Sequence, residues 1–161
     1  MLLVAKPGLA DPNFRETVVL VTQTADSSTI GVILNRPTPR KHEKTGDALY
    51  FGGPVMREVL VALYRAERAP AAAAFHVLKG VYLTMHPQNL EELLRKDRER
   101  SPRSYRLFMG FAGWAPGQLQ SELARDGWFV LPASVEILFR KDTAGMWDEL
   151  VRKARGRVAM R

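Results

Sequence analysis

Cysteine is absent from the 161 residues, which excludes disulfides, thiolate metal ligands and a cysteine nucleophile. No apolar run approaches the roughly 18 to 20 residues that a membrane-spanning helix needs. The opening Met1-Leu2-Leu3-Val4-Ala5 stops at Lys6-Pro7 and has no charged stretch before it, so it does not read as a secretory signal. Histidine is scarce. His42, His76 and His86 stand in no H-x-x-x-H or H-E-x-x-H spacing, so no metal and no cofactor is expected. No serine sits in G-x-S-x-G, and Ser27, Ser28, Ser101 and Ser104 read as turn residues. The carboxylates of Glu91-Glu92 and Asp148-Glu149 are adjacent on helical segments, where neighbours point in different directions. No nucleophile with a base beside it emerges, and the expectation leans away from an enzyme.

What is present is ordinary for a globular chain. Hydrophobic residues make up 46% and charged residues 25%, too apolar a mixture for disorder. The length supports one core, so a single cytoplasmic domain is expected. Lys and Arg number 24 against 17 Asp and Glu, a net charge of +7. Much of that excess is local: Arg152, Lys153, Arg155, Arg157 and Arg161 fall within the last ten residues with no acid among them. We therefore divide the chain into a domain over 1–151 and a basic C-terminal tail over 152–161, whose default state is a frayed, solvated end. The tail is also the place where weak, sequence-independent nucleic-acid binding would reside. A second basic cluster, Arg95, Lys96, Arg98, Arg100, Arg103 and Arg106, is diluted by Asp97 and Glu99 and reads as the solvated end of a helix and its loop.

The pattern predicts apolar strands over Leu2 to Val4, Thr17 to Thr22 and Ile30 to Leu34, the last two an antiparallel hairpin across Ala25-Asp26-Ser27-Ser28. Both are apolar on two faces, as in a sheet covered on both sides. Pro37 to Asp47 is polar, basic and proline-bearing, hence a surface loop. Further strands are expected at Leu49 to Phe51, Val59 to Tyr64, Tyr105 to Phe111 and Trp128 to Leu131, although Leu60, Leu63 and Tyr64 would equally suit a helix turn. Phe75 to Leu78 and Val81 to Thr84 form a second hairpin through Lys79-Gly80. Pro87 opens a helix with Leu90, Leu93 and Leu94 on one face. Leu119 and Leu123 mark another helix, stopped by Gly127. Val135 to Phe139 is a short apolar piece. The last helix starts near Thr143 and directs Trp147, Leu150, Val151 and Ala154 inward. Strands in runs with helices between and after them indicate an α+β fold.

Two turns are candidate ligand sites. Gly110-Phe111-Ala112-Gly113-Trp114-Ala115-Pro116-Gly117-Gln118-Leu119 joins a strand to a helix, where free amides and a helix start can hold an anion. Gly113, Trp114, Gly117 and Gln118 are its candidate residues. The segment meets neither the dinucleotide nor the P-loop fingerprint, and a tight turn whose glycines let Trp114 pack closely is the favoured reading of it. Gly52 and Gly53, before Pro54, allow close backbone approach either to a ligand or to a neighbouring strand.

Taken together, several segments resemble the YqgE/AlgH family of bacterial proteins. Leu3 to Phe14 is similar to its opening M-P-x-L-x-D-P-x-F pattern, with Lys6 where methionine is usual. Gly31-Val32-Ile33-Leu34-Asn35-Arg36-Pro37 resembles G-x-x-x-N-[KR]-P, and Gly52-Gly53-Pro54-Val55 its G-G-P-V. The similarity is most extensive over Gly110 to Leu119, followed by Glu122 and Trp128. After G-G-P-V the family often continues into a strand with a histidine; Arg57-Glu58-Val59-Leu60 stands here instead, so no histidine role carries over. The resemblance implies an α+β fold with a branched, mainly antiparallel sheet or small barrel surrounded by helices. It implies no reaction, although some members carry the label of candidate transcriptional regulators. No helix-turn-helix with a basic second helix is visible. The expected function is a non-enzymatic binding or regulatory module, with an unspecified protein partner. The alternatives are nucleic-acid binding through the tail, or an anion-binding protein or small enzyme built on the Gly110 to Leu119 turn.

Overall fold

The computed structural model describes residues 1–96 and 105–159. Ten strands form one sheet that does not close, β1 (Leu2–Ala5), β2 (Val18–Gln23), β3 (Thr29–Ile33), β4 (Pro37–Lys41), β5 (Ala48–Phe51), β6 (Val55–Arg65), β7 (Phe75–Leu78), β8 (Val81–Thr84), β9 (Tyr105–Trp114) and β10 (Trp128–Leu131). Among the described residues four helices accompany them: α1 (Pro87–Lys96), α2 (Gln118–Ala124), α3 (Val135–Leu138) and α4 (Met146–Ala159). The main path runs β10-β1-β2-β3-β9-β6-β8-β7, with β4 and β5 branching from β9. The α+β class and the branched sheet are as the sequence suggests; the closed-barrel alternative is not formed.

Both expected hairpins are antiparallel, β2 with β3 (Val21 opposite Gly31) and β7 with β8 (His76 opposite Tyr82). The continuous apolar runs have the expected cause, since opposite faces of the sheet are covered separately. On one face Leu2, Val4, Leu20 and Leu131 pack beneath Leu150, Val151 and Ala154 of α4. On the other, Leu3, Ala5, Val19 and Val21 pack with Trp114, Trp128 and Leu119 of α2. A third cluster lies under α1, where Leu90, Leu93 and Leu94 meet Tyr64, Ala62 and Leu107.

β9 is the branch strand. Along Leu107 to Met109 it pairs in parallel with β5, and along Ala112 to Trp114 antiparallel with β3. Its other edge pairs with β6, whose register shifts between Val55 and Leu60. Gly110, at φ +77°, lies where the neighbours change.

Two expectations are corrected, and one segment left without an assignment receives one. Residues 37–41 are not loop but strand β4, pairing with β5; it lies off the main path, where proline costs little. Val135–Leu138 is one helical turn, capped by Ser134, whose side chain accepts from the Ile137 amide at 3.3 Å. The last helix starts later than Thr143 and runs past residue 151 to Ala159 without a break. Ala154, buried one turn after Leu150 and Val151, carries the packed stripe across the expected boundary. Arg152, Lys153, Arg155 and Arg157 are thus exposed residues of a helix rather than a frayed tail; Arg161 lies outside the described residues.

Trp147 is half-buried against the core. Its indole N–H donates to the Ala5 carbonyl at 2.7 Å, tying α4 to the end of β1. Trp147→Phe keeps most of the packing and leaves that carbonyl without its donor. The expected loss is about 1 to 2 kcal/mol, read as a lower urea midpoint with an unchanged slope.

Candidate functional site

The structure does bring Gly113, Trp114, Gly117 and Gln118 into one turn, and the turn closes on itself. Gly113 and Trp114 are strand residues opposite Ile30 and Thr29. Trp114 is only 4% exposed, lies 6.1 Å from the Phe14 ring, and donates its indole N–H to Glu122. The Gln118 side-chain oxygen accepts from the Ala115 amide at 3.0 Å, while the Gln118 amide donates to the Ala115 carbonyl at 3.0 Å. Gly117 caps α2 at φ +83°, and its carbonyl accepts from Ser121. The polar groups of this turn chiefly serve one another.

Gly52 and Gly53 face protein. The Gly52 amide donates to Met109 and its carbonyl accepts from Ile33, both at 2.9 Å, so Gly52 joins β9 to β3. A β-carbon on Gly52 would stand 2.2 Å from the Gly110 carbonyl oxygen. These glycines let two backbones meet at the branch.

The histidines are local devices. His42 Nδ1 accepts from the Lys44 and Thr45 amides, His86 Nδ1 from the Gln88 amide, and His76 stands edge-on to Tyr82. Among the described residues no three His, Asp or Glu side chains gather as metal ligands would.

Two other places are concave. The first, about 160 Å³, is lined by Asp47, Ala48, Tyr50, Tyr105, Arg106, Leu107, Phe139 and Lys141. Here the reading of Arg106 as a solvated loop cation is corrected. It sits on β9 opposite Leu63 and is 8% exposed, on the same face of the strand as Phe108. Arg95 is exposed on α1; Arg98, Arg100 and Arg103 lie outside the described residues. The Arg106 guanidinium lies 4.7 Å from the Tyr50 ring centroid, and Nη2 donates to the Arg140 carbonyl. Burial pulls its pKa below the ordinary arginine value, partly offset by Tyr50; an arginine remains protonated at neutral pH. The Tyr105 hydroxyl donates to Asp47. The sequence did carry one signal for this site, an arginine inside an apolar strand.

The second, about 260 Å³, is a groove between β10 and α4, lined by Lys6, Trp128, Phe129, Val130, Leu131, Ala154, Arg157 and Val158. β10 ends the sheet and, among the described residues, is bonded along one side only, to β1. Val130 is 47% and Val158 59% exposed. Lys6 pairs with Asp126 and sits over the Phe129 ring at 4.8 Å. Among the described residues, no helix is long and apolar enough to cross a membrane.

Comparison with known proteins finds relatives along nearly the whole chain. A family model described as DUF179, AlgH-like, matches residues 2–159. A UPF0301 protein of Thermobifida fusca is 33% identical over 98% of this chain and 87% of its own length. A UPF0301 protein of Streptomyces coelicolor is 33% identical over 99% of this chain and 88% of its own. Among solved structures, a protein of Corynebacterium diphtheriae superposes with a TM-score of 0.74 at 26% identity, covering 94% of this chain and 84% of that one. The solution structure of the AlgH protein of Pseudomonas aeruginosa has a TM-score of 0.75 at 23% identity, over 94% and 85% of the two chains, a likeness of fold.

Proposed function

This chain belongs to the AlgH-like family, and from that premise we propose that it is a non-enzymatic binding module for an acidic, extended segment of a partner protein. The observation that carries this reading is the groove beside β10. An open strand edge offers backbone donors and acceptors to an added strand. Phe129, Leu131, Ala154 and Val158 give it an apolar floor, and Arg157 a positive rim. The exposed Arg152, Lys153 and Arg155 of α4 extend the positive field, which steers acidic partners and adds more to on-rate than to affinity.

A six-residue peptide of alternating Glu and Val is a suitable probe, with its Lys-Val counterpart as control. Titrated into the full chain at low salt, the acidic peptide shifts the amide resonances of Trp128 to Leu131 and of Val158. Arg157→Glu weakens it about tenfold. An equal response to the Lys-Val peptide, or no response along β10, refutes the reading.

Sequence-independent nucleic-acid binding is the second reading, favoured by the four basic side chains exposed on α4. A duplex bound by all five cations between Arg152 and Arg161 would show a slope of log K against log salt of roughly −4 to −5. A tighter response to duplex DNA than to the acidic peptide, with such a slope, puts this reading first. It supplies no base readout, since charge positions a protein on DNA without reading sequence.

A further inference from the structure

We propose that the cavity at Arg106 is a binding site for a small monocarboxylate, an acid group on a short apolar body, separate from the groove beside β10. Arg106 Nη1 is buried and has no hydrogen-bond partner among the described residues. Nη2 is held by the Arg140 carbonyl and the guanidinium faces Tyr50, so the fork is fixed in place. A buried cation with an unmet donor is costly; Nη1 has almost no surface open to a water-sized sphere, so a carboxylate entering the cavity that Arg106 lines reaches it by a small shift of the adjoining wall. The adjoining space of about 160 Å³ exceeds the ~30 Å³ share of one water and falls short of the ~300 Å³ at which drug-sized ligands begin.

The walls select the ligand. Arg106 and Lys141 bring two positive charges and Asp47 one negative, so one negative charge on the ligand leaves the site neutral. A phosphate dianion would overshoot and face the Asp47 carboxylate. Tyr50, Leu107 and Phe139 suit an alkyl or similar apolar body. A planar carboxylate also matches the geometry of the guanidinium fork better than a tetrahedral anion.

The test uses the full chain at pH 7 and constant ionic strength, titrated separately with butyrate, 1-butanol and inorganic phosphate. Chemical shifts of the Tyr50, Leu107, Phe139 and Lys141 amides are followed. Butyrate is expected to produce saturable shifts, butanol none, and phosphate a weaker response than butyrate. Arg106→Met, similar in length but uncharged, should weaken butyrate by more than about tenfold. Lys141→Ala, at an exposed position, leaves the fold intact and should weaken it about fivefold. The absence of saturable butyrate binding to the parent chain overturns the proposal. So do an unchanged affinity in both variants, an equal response to butanol, or tighter binding of phosphate.

Discussion

A Gly110→Ala variant is expected to lose about 3 to 5 kcal/mol of stability, a fall in Tm on the order of 10 °C. Two costs combine. At φ +77° any side chain is strained by about 1 to 2 kcal/mol. The new methyl would also lie 2.5 Å from the Gly53 carbonyl oxygen and 3.1 Å from that of Val55. Neither neighbour is the end of a flexible side chain, so the strands themselves must separate. Gly117→Ala is the control, because Gly117 has a similar φ of +83° and nothing within 4 Å of its would-be β-carbon. It should lose only the conformational part, about 1 kcal/mol. Equal losses in the two variants would show that the crowding at the branch contributes nothing.

Leu150→Ala should cost about 3 kcal/mol, within the usual range for emptying a leucine site. Leu150 is 1% exposed and packs in the cluster that joins α4 to β1, β2 and β10. Thermal unfolding checks the stability loss, while amide exchange along α4 shows whether the helix loosens before the sheet. Arg152→Ala, two residues on and exposed, should stay within about 0.5 kcal/mol of the parent. If α4 is the wall of a binding groove, Leu150→Ala also weakens the acidic peptide, although Leu150 does not line that groove. A stable Leu150→Ala protein would show that α4 is not anchored by this face.

Much of this architecture is legible in residue patterns. The β-branched runs of β2 and β3 and the polar turn between them specify a hairpin, because each residue's local preference agrees with its partner strand. Trp147, Leu150, Val151 and Ala154 specify the buried stripe of α4 for the same reason. Strand β4 was not legible: Pro37, Pro39 and the basic Arg40 and Lys41 are poor strand formers, and it is the pairing with β5 that holds them extended. Nor was the helical course of Arg152 to Arg157, where four cations with no acid among them resemble a solvated tail unless Ala154 is known to be packed. Arg106 was obscured by its basic neighbours in sequence; it is buried because β9 is covered on both faces there, with Leu107 and Phe108 buried beside it. The glycine-rich segments stand out as unusual, but composition cannot distinguish approach to a ligand from approach to another strand. At Gly52 and Gly53 the approach is to β9.

The position of β1 has a consequence for how the chain folds. It lies between β2, its near neighbour in sequence, and β10, which comes from the far end of the described chain, and α4 covers it. A β1–β2–β3 unit can form early, yet its outer edge stays unpaired until Trp128 to Leu131 arrive. Contacts so distant in sequence slow folding, and an open apolar strand is meanwhile a template for pairing with other chains. Leu2, Leu3, Val4 and Ala5 are all fully buried in the finished fold and include no charge to discourage such pairing. Refolding yield should therefore fall as protein concentration rises, more steeply than for a fold whose first strand finds all its neighbours nearby.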